Sequence, residues 1–188
     1  MNENANEIVI RVIRALDSAG ISHMLVGSLS SNSYGIERST QDADFVIELR
    51  DSSISPVAAA LAPEIRVNQQ ISFESVTMTS RYEAVHIPSG FGIEFFLLSS
   101  EPFHQMRFER RRKSPFGPVS AYLPTPEDVI VQKLRWYGRV KRAKDIGDAR
   151  DVIAVQAGHL DLEYIRNWCD QHGTRETFER LLIETAGI

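Results

Sequence analysis

The chain has 188 residues, 24% of them charged, with a formal net charge of −4. That length supports one domain with a real core, or one domain and a small helical appendage. No apolar run approaches membrane-spanning length, and the overall charge argues against a general nucleic-acid binder. The opening MNENANE is polar and acidic, unlike a signal or transit peptide, and the lone Cys169 has no internal partner. Both lead us to expect a reducing, cytoplasmic setting.

Residues 7–19, EIVIRVIRALDSA, place Ile8, Val9, Val12, Ile13 and Leu16 at helical spacing, and Gly20 stops the run. SHMLVG reads as a short buried strand. SLSSNSYG opens a helix at Ser28 and runs into a loop at Gly35. ADFVIEL is a second strand, and 51–62 another helix with Pro56 near its start. EIRVN is a short strand, while SFESVTMTS fits either helix or strand. YEAVHIP and GIEFFLLS read as strands around a Ser89-Gly90 turn, and VSAYLP as a further strand of the same core. After Pro124 the pattern turns helical. Thr125 caps a helix with Pro126 at its first position and Glu127 and Asp128 in its first turn. Helices at about 145–157, 161–172 and 174–186 follow. The expected architecture is therefore α/β (α+β): a small mixed sheet flanked by helices over residues 1–123, then a C-terminal helical bundle over 124–188. Basic charge gathers in RFERRRK (107–113) and KLRWYGRVKRAK (133–144).

The stretch with the most chemistry is GSLSSNSYGIERSTQDADF, residues 27–45. Side chains alternate along a strand, so Asp42 and Asp44 share a face. Glu94 lies within the apolar run GIEFFLLS, where an acid needs a partner. If the two strands are neighbours, three carboxylates converge at the inward end of a buried strand, and their repulsion calls for a divalent cation. Mg²⁺ takes carboxylate oxygens and accepts substrate phosphates for its remaining positions. Upstream, Gly27 permits close backbone approach, and Ser28 opens a helix whose free N–H groups suit an anion. The set fits in-line attack of a hydroxyl on the α-phosphate of a nucleoside triphosphate, with one carboxylate taking the proton.

This order of motifs resembles the DNA polymerase β-like nucleotidyltransferase superfamily, through VGS at 26–28, RSTQDADFVIEL at 38–49 and Glu94 in IEFFLL. More closely, it looks like the small prokaryotic branch related to AbiEii and MenT toxins. There an Arg-x-Thr-x-Asp-x-Asp segment recurs, matched by Arg38, Thr40, Asp42 and Asp44. A helical lysine followed by a basic-Asp pair is matched by Lys133, Lys144-Asp145 and Asp148. The resemblance implies Mg²⁺ (or Mn²⁺) on Asp42, Asp44 and Glu94. It implies an NTP such as ATP at Gly27, Ser28, Arg38, Thr40 and Lys133, with Asp145 as a further acid facing a cleft between the two halves. The acceptor would be RNA or tRNA, a protein or a small molecule, and the partner an antitoxin or a second copy of the chain. The departure is Glu94, where an aspartate is more usual. It motivates the alternative of a catalytically inactive binding module. A glycosyltransferase reading of D-x-D fits less well, given the short chain and helical second half.

Among other residues, Lys133 belongs on the wet side of an amphipathic helix if it has no special role. Trp136 reads as core, Cys169 as buried packing, and His23 and His86 as strand residues. Arg110–Lys113 reads as a loop, or as a clamp for a phosphate-bearing acceptor.

Overall fold

The computed structural model of the chain describes residues 4–75 and 78–186. The chain divides into two compact units. One comprises Met1–Gly27 and Ser39–Leu123, the other Ser28–Arg38 and Pro124–Ile188.

The first unit is an α/β sheet layer. Helix α1 (Ala5–Ser18) starts at a capping box, in which the Asn4 side chain accepts from the Glu7 N–H and the Glu7 carboxylate accepts from the Asn4 N–H, both at 2.9 Å. It buries Ile8, Val9, Val12, Ile13 and Leu16, the five residues marked by its periodicity. Strands β1 (Ser22–Val26), β2 (Asp42–Glu48), β3 (Ile65–Glu74), β4 (Thr79–His86) and β5 (Gly92–Leu97) form one mixed sheet in the order β1-β2-β5-β4-β3. β2 and β5 run parallel and the other pairs antiparallel. Phe45 and Phe95 stack at 5.9 Å between ring centroids and are fully buried with Leu25, Ile47 and Ile93. Helix α3 (Ser55–Leu61) follows β2 and buries Val57 and Leu61.

Three local expectations change. β3 continues to Glu74, well past EIRVN, and the ambiguous SFESVTMTS supplies the end of β3 and the start of β4. Residues 76 and 77 of that segment lie outside the described residues. VSAYLP does form strand β7 (Val119–Leu123), but in a separate two-stranded sheet with β6 (Arg112–Phe116). So Arg112 and Lys113 begin a strand rather than a loop. Pro115 in β6 fits a two-stranded ribbon, where a missing N–H is tolerated. Helix α4 (Pro102–Glu109), which the sequence reading missed, buries Phe103 and Phe108, the latter against Met24, Val26 and Val46.

The second unit is helical. Helix α2 (Gly27–Tyr34) contributes its residues from Ser28 on. It is joined by α5 (Pro126–Val140), α6 (Ala143–Val155), α7 (Leu162–His172) and α8 (Arg175–Thr185). Thr125 caps α5, its hydroxyl accepting from the Asp128 N–H at 3.4 Å while donating to Asp128 Oδ2 at 2.9 Å. The core holds Ile130, Leu134, Val152, Ile165, Cys169, Phe178 and Leu181. Trp136, expected in it, is only half-buried: Lys133 Nζ lies 5.3 Å and Arg142 Cζ 5.8 Å from its ring centroid. No described helix is long and apolar enough to cross a membrane.

Candidate active site

The acidic residues come from the centre of the first unit's sheet. The alternation of β2 puts Asp42 and Asp44 on one face, as the period of a strand requires. Asp42 is exposed and Asp44 half-buried, so this end of β2 is less buried than the sequence suggested. Thr40 Oγ1 donates to Asp42 Oδ1 at 2.7 Å and fixes that carboxylate. β1 ends at Val26, the register partner of Asp44, and Gly27 follows it. Its φ is +63°, and a Cβ built there would lie 1.9 Å from Asp44 Oδ2 and 2.8 Å from Asp44 Cγ. The backbone at Gly27 therefore makes a cradle for the Asp44 carboxylate that any side chain would fill.

Glu94 is the register partner of Asp44 across the parallel β2–β5 pair. Its carboxylate, however, has a different partner. Arg81 on β4 donates from Nη1 to Glu94 Oε2 at 3.1 Å, and from Nη2 and Nε to Glu83 Oε1 at 2.6 and 3.1 Å. Burial raises the Glu94 pKa above the ordinary value. The Arg81 charge opposes that rise, while Asp42, Glu83 and Glu74 reinforce it. Among the described residues no group of three or more His, Cys, Asp or Glu side chains is arranged to hold a metal ion. The hard donor pair Asp42 and Asp44 does suit Mg²⁺ or Mn²⁺, which need few protein ligands when phosphate and water complete the shell.

The second unit carries its own charged cluster. Lys133, expected on the wet side of α5, is buried, because α6 supplies its counter-charges one helical turn apart. Its Nζ lies 2.7 Å from Asp148 Oδ2 and 3.5 Å from Asp145 Oδ1. Arg38 grips Asp148 from the other side, Nε to Oδ1 at 2.8 Å and Nη2 to Oδ2 at 3.0 Å, and its Nη2 also reaches Ser28 Oγ at 2.8 Å. Burial alone would raise the Asp148 pKa. The hydrogen bonds from Arg38 and the Lys133 charge outweigh it and hold the carboxyl below its usual value. Asp145, fully buried, accepts from Arg142 Nε at 2.7 Å. Ser28, Arg38, Lys133 and Asp145 are thus gathered in one network, with Asp148 at its centre.

Arg81, Glu83 and Arg142 were not singled out from sequence. The alternation of Arg81 and Glu83 in SRYEAVH places them on one face, but only the β4–β5 pairing brings that face to Glu94. His23 and His86 are buried strand residues, His23 edge-on to Tyr122 and Phe45.

No protein-family model matches the chain, and no curated protein does. Solved structures do. The antibiotic-resistance factor ANT(2″)-Ia superposes with a TM-score of 0.63 at 10% identity, covering 96% of this chain and 97% of its own. The chain has the fold of the nucleotidyltransferases. An antigenic nucleotidyltransferase-like protein from Paracoccidioides brasiliensis matches at TM-score 0.55 and 18% identity, over 93% of this chain and 91% of that one. A nucleotidyltransferase candidate from Helicobacter pylori gives 0.55 at 17% identity, over 95% and 80%. At such identities the likeness is one of fold, and the chemistry has to be argued from this chain's own residues.

Proposed function

We propose that the protein transfers a nucleoside monophosphate from an NTP to a hydroxyl acceptor. The observation that carries this is the Asp42–Asp44 pair on one strand face, with Asp44 cradled against Gly27, in a chain of nucleotidyltransferase fold. Asp42, oriented by Thr40, and Asp44 would hold Mg²⁺ or Mn²⁺, which when bound supplies charge neutralisation for the phosphates. Gly27 and Ser28 would receive the triphosphate at the start of α2. In the second unit, Arg38, Lys133 and Asp145 are held together by the network centred on Asp148.

In the reaction the acceptor oxygen bonds to the α-phosphorus, and the bond from that phosphorus to the bridging oxygen breaks. Pyrophosphate leaves. The hydroxyl proton passes to one carboxylate of the acidic face. The acceptor class is RNA or tRNA, a protein hydroxyl or a small molecule. A structure of ANT(2″)-Ia contains adenylyl-2″-tobramycin, which keeps a small-molecule hydroxyl among them. A toxin-like role with an antitoxin partner belongs to the same proposal. One observation favours a second reading, an inert nucleotide-binding module: Glu94 is already paired with Arg81. Transfer of α-³²P label from an NTP to any acceptor would rule the inert module out.

The primary test is calorimetric titration with each of the four NTPs, with and without Mg²⁺, beside Asp42→Asn/Asp44→Asn. We expect Mg²⁺-dependent binding of at least one NTP, weakened tenfold or more in the double variant. Equal binding by the variant, or none by the wild type, sinks the reading.

A further inference from the structure

We infer that two copies of this chain pair through the outer edges of their β3 strands, antiparallel and centred on Gln70, so that each copy's α3 covers the other's Ile71 and Phe73. None of these residues belongs to the nucleotidyl-transfer site proposed above, so the two readings stand or fall separately. β3 is the last strand in the order β1-β2-β5-β4-β3, and among the described residues only β4 pairs with it. Such an edge is a template for another chain, and proteins blunt it with charge or proline where pairing is unwanted. Residues 67–73, VNQQISF, hold neither. They hold two exposed apolar side chains instead, Ile71 at 50% and Phe73 at 62%. From Asn68 to Ser72 β3 advances four residues, while β4 advances two, from Glu83 to Arg81. The difference is even, so Arg66, Asn68, Ser72 and Glu74 keep to one face, and Val67 and Phe73 to the other.

Helix α3 explains why Ile71 and Phe73 are bare. It packs against β3, and its first residue, Ser55, donates from Oγ to Gln69 Oε1 at 2.6 Å. Its far end leads through residues 62–64 into Ile65. The helix thus lies beside the 65–69 half of β3, and Ile71 and Phe73 lie past its start. A two-fold axis through Gln70 supplies the missing cover. It sets Val67 of one copy opposite Phe73 of the other, Asn68 opposite Ser72, the Gln69 stem opposite Ile71, and Arg66 opposite Glu74. Apolar and opposite-charge pairs of this kind stabilise neighbouring strands. Parallel pairing in register would instead oppose Arg66 to its own copy and Glu74 to its own copy. The α3 beside Val67 and Gln69 of one copy then lies beside Phe73 and Ile71 of the other. The occupant is therefore a second copy of this chain, because the complement of residues 66–74 is the same segment reversed. The axis is perpendicular to the strands' common plane, so both Asp42–Asp44 faces look to one side of the joined sheet. One strand pair is a small interface, and the dimer is accordingly a weak one.

The test is sedimentation velocity of the full chain from about 5 to 200 μM, the range in which a weak interface shows itself. Wild type is compared with Phe73→Thr, Arg66→Glu and the swap Arg66→Glu/Glu74→Arg. The wild type should pass from monomer to dimer as concentration rises. Phe73→Thr, which keeps a strand former at the position, should weaken the dimer at least tenfold. Arg66→Glu should do the same, and the swap should recover wild-type affinity within threefold. Register is read by oxidation of Gln70→Cys and Gln69→Cys, since the native thiol, Cys169, is buried. Position 70 meets its own copy across the axis at a distance a disulfide can span. It should cross-link at least tenfold faster than position 69. A wild type that stays monomeric throughout, or a dimer indifferent to both Phe73→Thr and Arg66→Glu, overturns the inference. Cross-linking of Gln70→Cys no faster than that of Gln69→Cys overturns it too. All five substituted positions are exposed or half-buried, so the variants should fold. If the swap does not, the cysteine comparison decides.

Discussion

Two glycines with nearly the same backbone angle separate conformational cost from functional cost. Gly20 has φ +64° with nothing within 4 Å of a would-be Cβ, whereas Gly27 at φ +63° would drive its Cβ into the Asp44 carboxylate. A left-handed alanine costs about 1–2 kcal/mol, which for a chain of this size lowers Tm by roughly 2–8 °C. Gly20→Ala should lose only that stability and bind Mn²⁺ as the wild type does. Gly27→Ala should lose it and weaken Mn²⁺ binding at least tenfold, because Asp44 must move aside. Equal binding by the two variants would mean that Asp44 is no ligand. His23 offers a second residue-level test. Burial lowers its pKa below 6.5, against smaller raising contributions from the Ile21 carbonyl and Asp17. The unfolded chain therefore binds the proton first as pH falls. The stability linked to a neutral His23 is full above pH 6.5 and is lost from there down to the folded pKa, with a slope of at most about 1.4 kcal/mol per pH unit. Glu94, whose folded pKa is raised, tilts the curve the opposite way at lower pH. The comparison must therefore be made against His23→Gln. Urea midpoints at pH 7.5 and 5.5 should differ more for wild type than for that variant.

At the scale of elements, legibility follows how local each signal is. α1 and α5 announce themselves because cap, first turn and apolar spacing all lie within one segment: Asn4 and Glu7 for the first, Thr125, Pro126 and Asp128 for the second. α4 hides because PFHQMRFE is short and mostly polar, with only Phe103, Arg107 and Phe108 buried. β6 hides because RKSPF has the composition of a loop, and only its pairing with β7 makes it a strand. β7 itself is legible as a strand, but nothing in VSAYLP says which sheet it joins. The same division holds at the candidate site. Asp42 and Asp44 share a face by the period of a strand, which is a local fact. That Lys133 is buried depends on Asp145 and Asp148 from α6, and that Glu94 meets Arg81 depends on β4 lying beside β5. Periodicity tells which face a charged residue occupies. It does not tell whether a counter-charge waits there.

For the molecule as a whole, the informative feature is connectivity. The chain leaves the first unit after Gly27, returns after Arg38 and leaves again after Leu123. The inserted segment 28–38 is built into the helical unit. Arg38 holds Asp148, the Tyr34 carbonyl accepts from Gln156 Nε2 at 2.9 Å, and a Cβ on Gly35 would lie 3.1 Å from the Val152 backbone nitrogen. Its two ends continue into β1 and β2, which are paired neighbours in the sheet. Melting the sheet removes the anchor from both ends of a segment the helical unit needs, and losing that segment uncovers α6. The two units should therefore unfold as one. Both tryptophans, Trp136 and Trp168, lie in the helical unit, so their fluorescence follows that unit alone, while far-UV ellipticity follows both. In urea the two signals should trace a single coincident transition. A fluorescence midpoint displaced from the ellipticity midpoint by more than about 0.5 M, on m-values of the usual size, would show that the helical unit keeps its stability without the sheet. The inserted segment would then be dispensable to it.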